Sequence, residues 1–141
     1  MPKKSTSNLE NELKRSVSIE AFLLEHQEEM ATSDLPTQLQ ELIEAKGLTK
    51  ADVVKESNLN EIYAYQILSG ARRPSRDKLL SICFAMKATL DETQNLLRQC
   101  GFAPLYVKNR RDSIIIFALA HGHSIIELNS ALYDHGEAVV E

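Results

Sequence analysis

Cysteine is scarce: 141 residues hold two, Cys83 and Cys100. Neither belongs to a CxxC pair or has a histidine at ligand spacing, so no zinc site is expected. Both sit in apolar helical patterns and read as buried, reduced thiols, with a disulfide or redox pair as the alternative. Glycine and proline are also few, five and four. No segment alternates apolar and polar residues as a half-buried strand does, whereas long segments keep a helical period. An all-α fold is the expectation. The longest apolar run, residues 114–120, spans seven positions, against roughly 20 for a membrane helix. The start, Met-Pro-Lys-Lys followed by polar residues, has no secretory apolar core. Cytoplasmic placement without a membrane partner is therefore expected. The sequence also lacks a Ser-His-Asp order, a phosphate-cradling glycine loop and a metal-ligand cluster. It points to no enzyme, no cofactor and no metal.

What is present is an ordinary soluble composition, 43% hydrophobic and 26% charged. The length suits one domain with a real core. The net charge of −4 offers no general attraction to nucleic acid, but its distribution is uneven. Residues 1–34 hold four basic and seven acidic groups, residues 35–87 eight and six, and residues 88–141 four and seven. Only the middle block is net positive, the sign that phosphate contact requires.

Residues 1–7 read as a disordered tip. Residues 8–15 and 16–30 read as two short amphipathic helices, with Leu9, Leu13, Ile19, Phe22, Leu23 and Met30 as apolar positions. This acidic arm, residues 1–34, either packs on its own domain or serves dimerisation or partner binding. Ser33 or Asp34 then caps a helix with Pro36 in its first turn and Leu35, Leu39, Leu42 and Ile43 as its stripe. Gly47 ends it.

Residues 47–75, GLTKADVVKESNLNEIYAYQILSGARRPS, hold two short helical patterns joined by a polar turn. Thr49 caps the first, with Asp52 in its first turn and Ala51, Val53, Val54 and Ser57 as its packing face. The turn is Ser57-Asn58-Leu59-Asn60, with Leu59 inward. Asn60 caps the second helix, 61–68, which Ser69-Gly70 stops. Pro74-Ser75 opens a strongly apolar fourth helix. A fifth starts near Thr89 to Asp91 and ends at Gly101. Residues 102–106 form an irregular connector whose aromatics are expected to plug the core.

A shift of 35 residues overlays the C-terminal part on the part before it. Arg76-Asp77 falls on Arg111-Asp112, Leu79-Leu80 on Ile114-Ile115, Ala85 on Ala120, Glu92 on Glu127, Leu97 on Leu132 and Gly101 on Gly136. Two copies of a helix-loop-helix unit, 76–101 and 111–136, are expected to form a helical layer. Each Arg-Asp pair reads as capping with a local ion pair, or as a phosphate or partner contact. His121 and His123 read as a helix end and loop.

The run from Leu48 to Ser75 resembles the helix-turn-helix of lambda-repressor-like (XRE family) regulators. Thr49, Leu59, Asn60, Ala64, Ile67, Gly70, Arg72-Arg73 and Pro74-Ser75 match that pattern without gaps. The resemblance covers roughly residues 35–100 and implies a five-helix DNA-binding domain. The expected organisation is thus an acidic helical arm at 1–34, the helix-turn-helix domain at 35–101 and an extra helical hairpin at 102–141 packed on it. The resemblance places Lys50 at a phosphate-contacting position. It places Asn60, Glu61, Ile62, Tyr63 and Gln66 on the exposed part of the recognition helix, and Arg72 and Arg73 in the following loop. Arg76 is a further candidate for phosphate. The recognition helix, NEIYAYQIL, contains no Arg or Lys, and Glu61 leads it. Gln66 can pair with adenine, Ile62 can meet a thymine methyl and Glu61 can accept from cytosine. The expected function is a sequence-specific transcriptional regulator of bacterial type, a homodimer on double-stranded DNA. The alternative is a helix-turn-helix scaffold turned into a protein-interaction module through the arm or the hairpin.

Overall fold

The computed structural model describes residues 34–141 together with Glu10, Asn11, Ser18 and Ile19. Apart from those four residues, the helix pair expected over residues 8–30 lies outside the described residues. The chain divides into two compact units, Met1–Asp34 and Leu35–Glu141.

Among the described residues the second unit is all-helical, with seven helices and no strand. They are α1 (Leu35–Ala45), α2 (Lys50–Glu56), α3 (Glu61–Ser69), α4 (Arg76–Ala85), α5 (Leu90–Gln99), α6 (Arg110–Ala120) and α7 (Ile125–Asp134). Local chemistry sets the boundaries. Thr49, Thr89 and Ser124 each close a capping box, with Asp52, Glu92 and Glu127 as the returning carboxylates. Asn60, Ser75 and Asn109 cap α3, α4 and α6 through one side-chain oxygen each. At the end of α1 the Gly47 and Leu48 N–H groups bond back to Glu44 and Ile43 carbonyls, a turn that needs the positive φ of Gly47.

Helix α4 lies at the centre. It is buried from Leu79 to Ala85 without interruption, because α2 covers one side and its own hairpin partner α5 another. Leu39, Ile43, Val53, Ile67, Leu97, Ile115, Leu128 and Leu132 complete a single continuous core. Ala51, expected on the packing face of α2, is exposed, and Val53, Val54 and Ser57 alone do that work. The connector after α5 plugs the core with Leu105, and of its two aromatics Phe102 packs against the core while Tyr106 is mostly exposed. Gln94 fixes Leu105 there by accepting from its N–H at 2.7 Å and donating to its carbonyl at 2.9 Å.

The two hairpins, α4–α5 and α6–α7, repeat one another in bonding as well as in sequence. Asn129 holds Val140 as Gln94 holds Leu105, 35 positions earlier, through the same pair of bonds. Arg76 donates to the Ala103 and Pro104 carbonyls; Arg111 donates to those of Ala138 and Val139. The pairing between hairpins is reciprocal. Arg76 binds Asp112 with both terminal nitrogens, at 3.3 and 3.1 Å, and Arg111 binds Asp77 likewise, at 3.2 and 2.9 Å. The Tyr106 N–H reaches Asp112, and the Glu141 N–H reaches Asp77. Helix α4 packs on α7 and α5 packs on α6. This is the pattern of an isologous two-fold contact, residue i to j and j to i, built within one chain. The Arg-Asp pairs are thus long-range clamps, not the local ion pairs expected. They tie the two hairpins together within the unit that runs from Leu35 to Glu141.

Candidate nucleic-acid interface

Helices α2 and α3 meet across the turn 57–60. Ser57 stabilises it from inside: its buried hydroxyl donates to the Val54 carbonyl at 2.8 Å and accepts from the Leu59 N–H at 3.2 Å. Asn58 takes the left-handed conformation the turn requires, which asparagine tolerates. Helix α3 then buries Ala64, Ile67 and Leu68 against the core. The opposite side is thereby fixed outward. Ile62 is 70% exposed, and Gln66 stands one turn along the same side.

The loop after α3 folds back on that side. The Arg72 N–H bonds to the Gln66 carbonyl at 3.2 Å, and the Arg72 Nε donates to the Gln66 side-chain oxygen at 3.1 Å. The Arg72 guanidinium lies 5.1 Å from the centre of the Tyr63 ring, and Lys78 Nζ 5.5 Å from it. Together they line an open groove of about 640 Å³ that Asn58, Asn60 and Ile62 also edge. The last residues, Val140 and Glu141, form its far wall.

Most expected site residues therefore converge. Asn60, Ile62, Tyr63, Gln66 and Arg72 share the groove, and Glu61 stands exposed at the head of α3. Asn60 has its Oδ1 engaged by the Tyr63 N–H at 3.1 Å, which leaves its amide nitrogen as the outward group. Lys50 is exposed at the first position of α2. Arg73 is exposed but outside the groove. Arg76 is placed elsewhere altogether. Its Nε and both terminal nitrogens make four hydrogen bonds inside the clamp, which commits all but one of its five N–H groups. Lys78 belongs to the groove and was missed. The signal was legible: a basic residue on the first turn of α4, right after the basic loop. Glu141 was missed because nothing local ties it to α3.

Cys83 is fully buried, and burial pushes its thiol up to about 12. Cys100 is half-buried and also raised by desolvation. Neither is a thiolate nucleophile at neutral pH. Among the described residues no group of three or more His, Cys, Asp or Glu is placed to hold a metal ion. Among the same residues no helix is long and apolar enough to cross a membrane.

No protein-family model matches this chain, and no curated protein and no solved structure matches it.

Proposed function

We propose that the protein is a cytoplasmic, non-catalytic transcriptional regulator that binds double-stranded DNA sequence-specifically. In this reading α2, the turn and α3 act as a helix-turn-helix of lambda-repressor type, with α3 in the major groove. One observation carries it: Ile62 and Gln66 present an apolar and an amide group along the outward side of α3, with Arg72 and Lys78 beside them. A water-exposed isoleucine next to a fixed amide has the chemistry to read a thymine methyl and an adenine edge. Asn60 and Glu61 are the further base-reading groups. Lys50, Arg72, Arg73 and Lys78 are the phosphate contacts that set register. Two copies acting together would read two half-sites. Selection from a random duplex library at low and moderate salt tests this. Enriched sequences whose binding weakens with salt are expected; no enrichment at either salt rejects it.

A protein-interaction module is the second reading. It is favoured by the absence of any cation on α3 and by two carboxylate residues, Glu61 and Glu141, beside the groove. It predicts a protein partner held in the groove and no salt-sensitive duplex binding.

A further inference from the structure

The internal two-fold assigns a use to a face that the described helices leave bare. On the first hairpin, Leu79, Ile82 and Met86 are all fully buried, on the helix that α2 packs against. Shifted by 35, they become Ile114, Phe117 and His121. Phe117 is 56% exposed, His121 is exposed and Ile114 is half-buried. No described helix plays the part of α2 on the second hairpin. The rim repeats too. On the first hairpin Glu92 takes Lys46 from the end of α1, at 2.8 Å. Its equivalent, Glu127, caps α7 through Ser124 and stands exposed. The bare face is ordered: the Phe117 ring stacks on that of His121 at 3.9 Å, with His123 edge-on at 5.9 Å.

We propose that this face binds the same face of a second copy of the chain, with the two α6 helices antiparallel and crossing at Phe117. Two features favour a second copy over an unrelated protein. First, the centre of the stripe, Ser113, Ile114, Phe117, Ala120 and His121, holds no carboxylate, lysine or arginine, so two copies meet without like-charge repulsion at the middle. Second, the ends offer complementary groups. Arg110, at the start of α6, seven residues before Phe117 and about 10 Å along the helix, holds its own Glu137 at 3.4 Å and the His135 carbonyl at 2.9 Å, yet its side chain is 68% exposed and open to a further carboxylate. An antiparallel crossing at Phe117 sets it against the partner's Ser124 and the α7 turn that carries the partner's Glu127. Two-fold symmetry makes that ion pair twice. The chain would then use one isologous contact inside itself and a second one outside.

Sedimentation of the full chain over a range of micromolar concentrations, without DNA, tests this apart from the DNA reading. The wild type should pass from monomer to dimer. Phe117→Glu should raise the dissociation constant roughly 30-fold or more, while its far-ultraviolet circular dichroism, taken at a concentration where both proteins are monomeric, stays that of the wild type. Phe117→Ser serves if the glutamate variant is unstable. Arg110→Glu and Glu127→Lys should each weaken the dimer, and an equimolar mixture of the two should restore it, since both rims regain opposite charges. A wild type that stays monomeric hands the face to another protein and overturns the proposal. So does a dimer indifferent to both Phe117 substitutions, or a mixture no tighter than its components.

Discussion

Arg76 holds Asp112 with two guanidinium hydrogen bonds, at 3.3 and 3.1 Å, across 36 residues of chain. Asp112 is the more enclosed end, its side chain 10% exposed, and it also receives the Tyr106 N–H. Removing Arg76 strands a carboxylate in a half-dry site, so Arg76→Ala should cost about 3 kcal/mol in denaturant unfolding. Asp112→Asn keeps the shape and one acceptor, and about 1–2 kcal/mol is expected. Asp77 sits in the equivalent clamp but is 26% exposed. Asp77→Asn should therefore cost less than Asp112→Asn. Equal costs would mean that water screens both clamps alike.

The repeat behind these clamps was legible as a shift of 35, because Arg-Asp, the apolar pairs and the terminal glycine recur in order. Its geometry was not. A shift says that two segments fold alike; it carries nothing about whether they stack in line or face each other. Hence Arg76 read as half of a local ion pair or as a phosphate or partner contact, when its partner lies in the other copy. The match also ran further than the glycines: Gln94 and Asn129, both primary amides, hold Leu105 and Val140 through the same bonds. Local features fared best. Thr49, Asn60, Gly70 and Ser75 act where their residue types predict, since a cap depends on three or four neighbours only. The groove beside α3 depends on Val140 and Glu141, some 75 residues away, and no local pattern announces such a contact.

The three capping carboxylates make stability depend on acid pH. Backbone N–H bonds from Thr49 and Ser124 hold Asp52 and Glu127 below their ordinary values. For Glu92, partial burial pushes upward, but the Lys46 ammonium and the Thr89 N–H outweigh it and the net shift is downward. A carboxyl lowered on folding binds its proton less tightly in the native state. Its contribution is complete above the unfolded value, 4.5 for the glutamates and 3.8 for Asp52, and is lost as pH falls through the folded value. The urea midpoint should accordingly drop below about pH 4.5 on account of these groups. Glu92→Gln keeps a capping acceptor but not the charge facing Lys46. It should be less stable than wild type at neutral pH and nearly equal to it at about pH 3. A constant difference across that range would show that the Lys46 ion pair contributes nothing.

Left-handed backbone positions offer a pair of opposite predictions. Gly70 has φ +87°, and a Cβ added there would come 2.7 Å from Cγ of Pro36, a ring that cannot swing aside. Gly70→Ala should destabilise by about 2–3 kcal/mol, backbone strain and contact together. Lys87 occupies the same kind of position at φ +57°, and its equivalent in the second hairpin is Gly122, at φ +67°. Lys87→Gly removes the strain at the expense of a looser unfolded chain, a net gain of about 0.5 kcal/mol. Thermal unfolding of both variants reads the two signs. A stabilised Gly70→Ala or a strongly destabilised Lys87→Gly would contradict the account.

Under the proposed DNA reading, the bond between Arg72 and Gln66 separates two arginines that look interchangeable in sequence. Arg73 lies outside the groove, so Arg73→Ala should weaken every duplex alike and lower the salt slope by about 1. Arg72→Ala should lower the slope by the same amount and do more. Its Nε fixes the Gln66 side-chain oxygen at 3.1 Å, and its guanidinium covers Tyr63. With Arg72 gone, the Gln66 amide can rotate and present either end, so discrimination at the base pair it reads should fall by about 1–3 kcal/mol, as it does in Gln66→Ala. The double variant, Gln66→Ala with Arg72→Ala, should then be no less discriminating than either single one, because the two act on one contact. Binding of each variant to one enriched duplex and its single-base mismatches, at two salt concentrations, separates slope from preference. If Arg72→Ala and Arg73→Ala behave alike in both, Gln66 does not read a base through this arrangement.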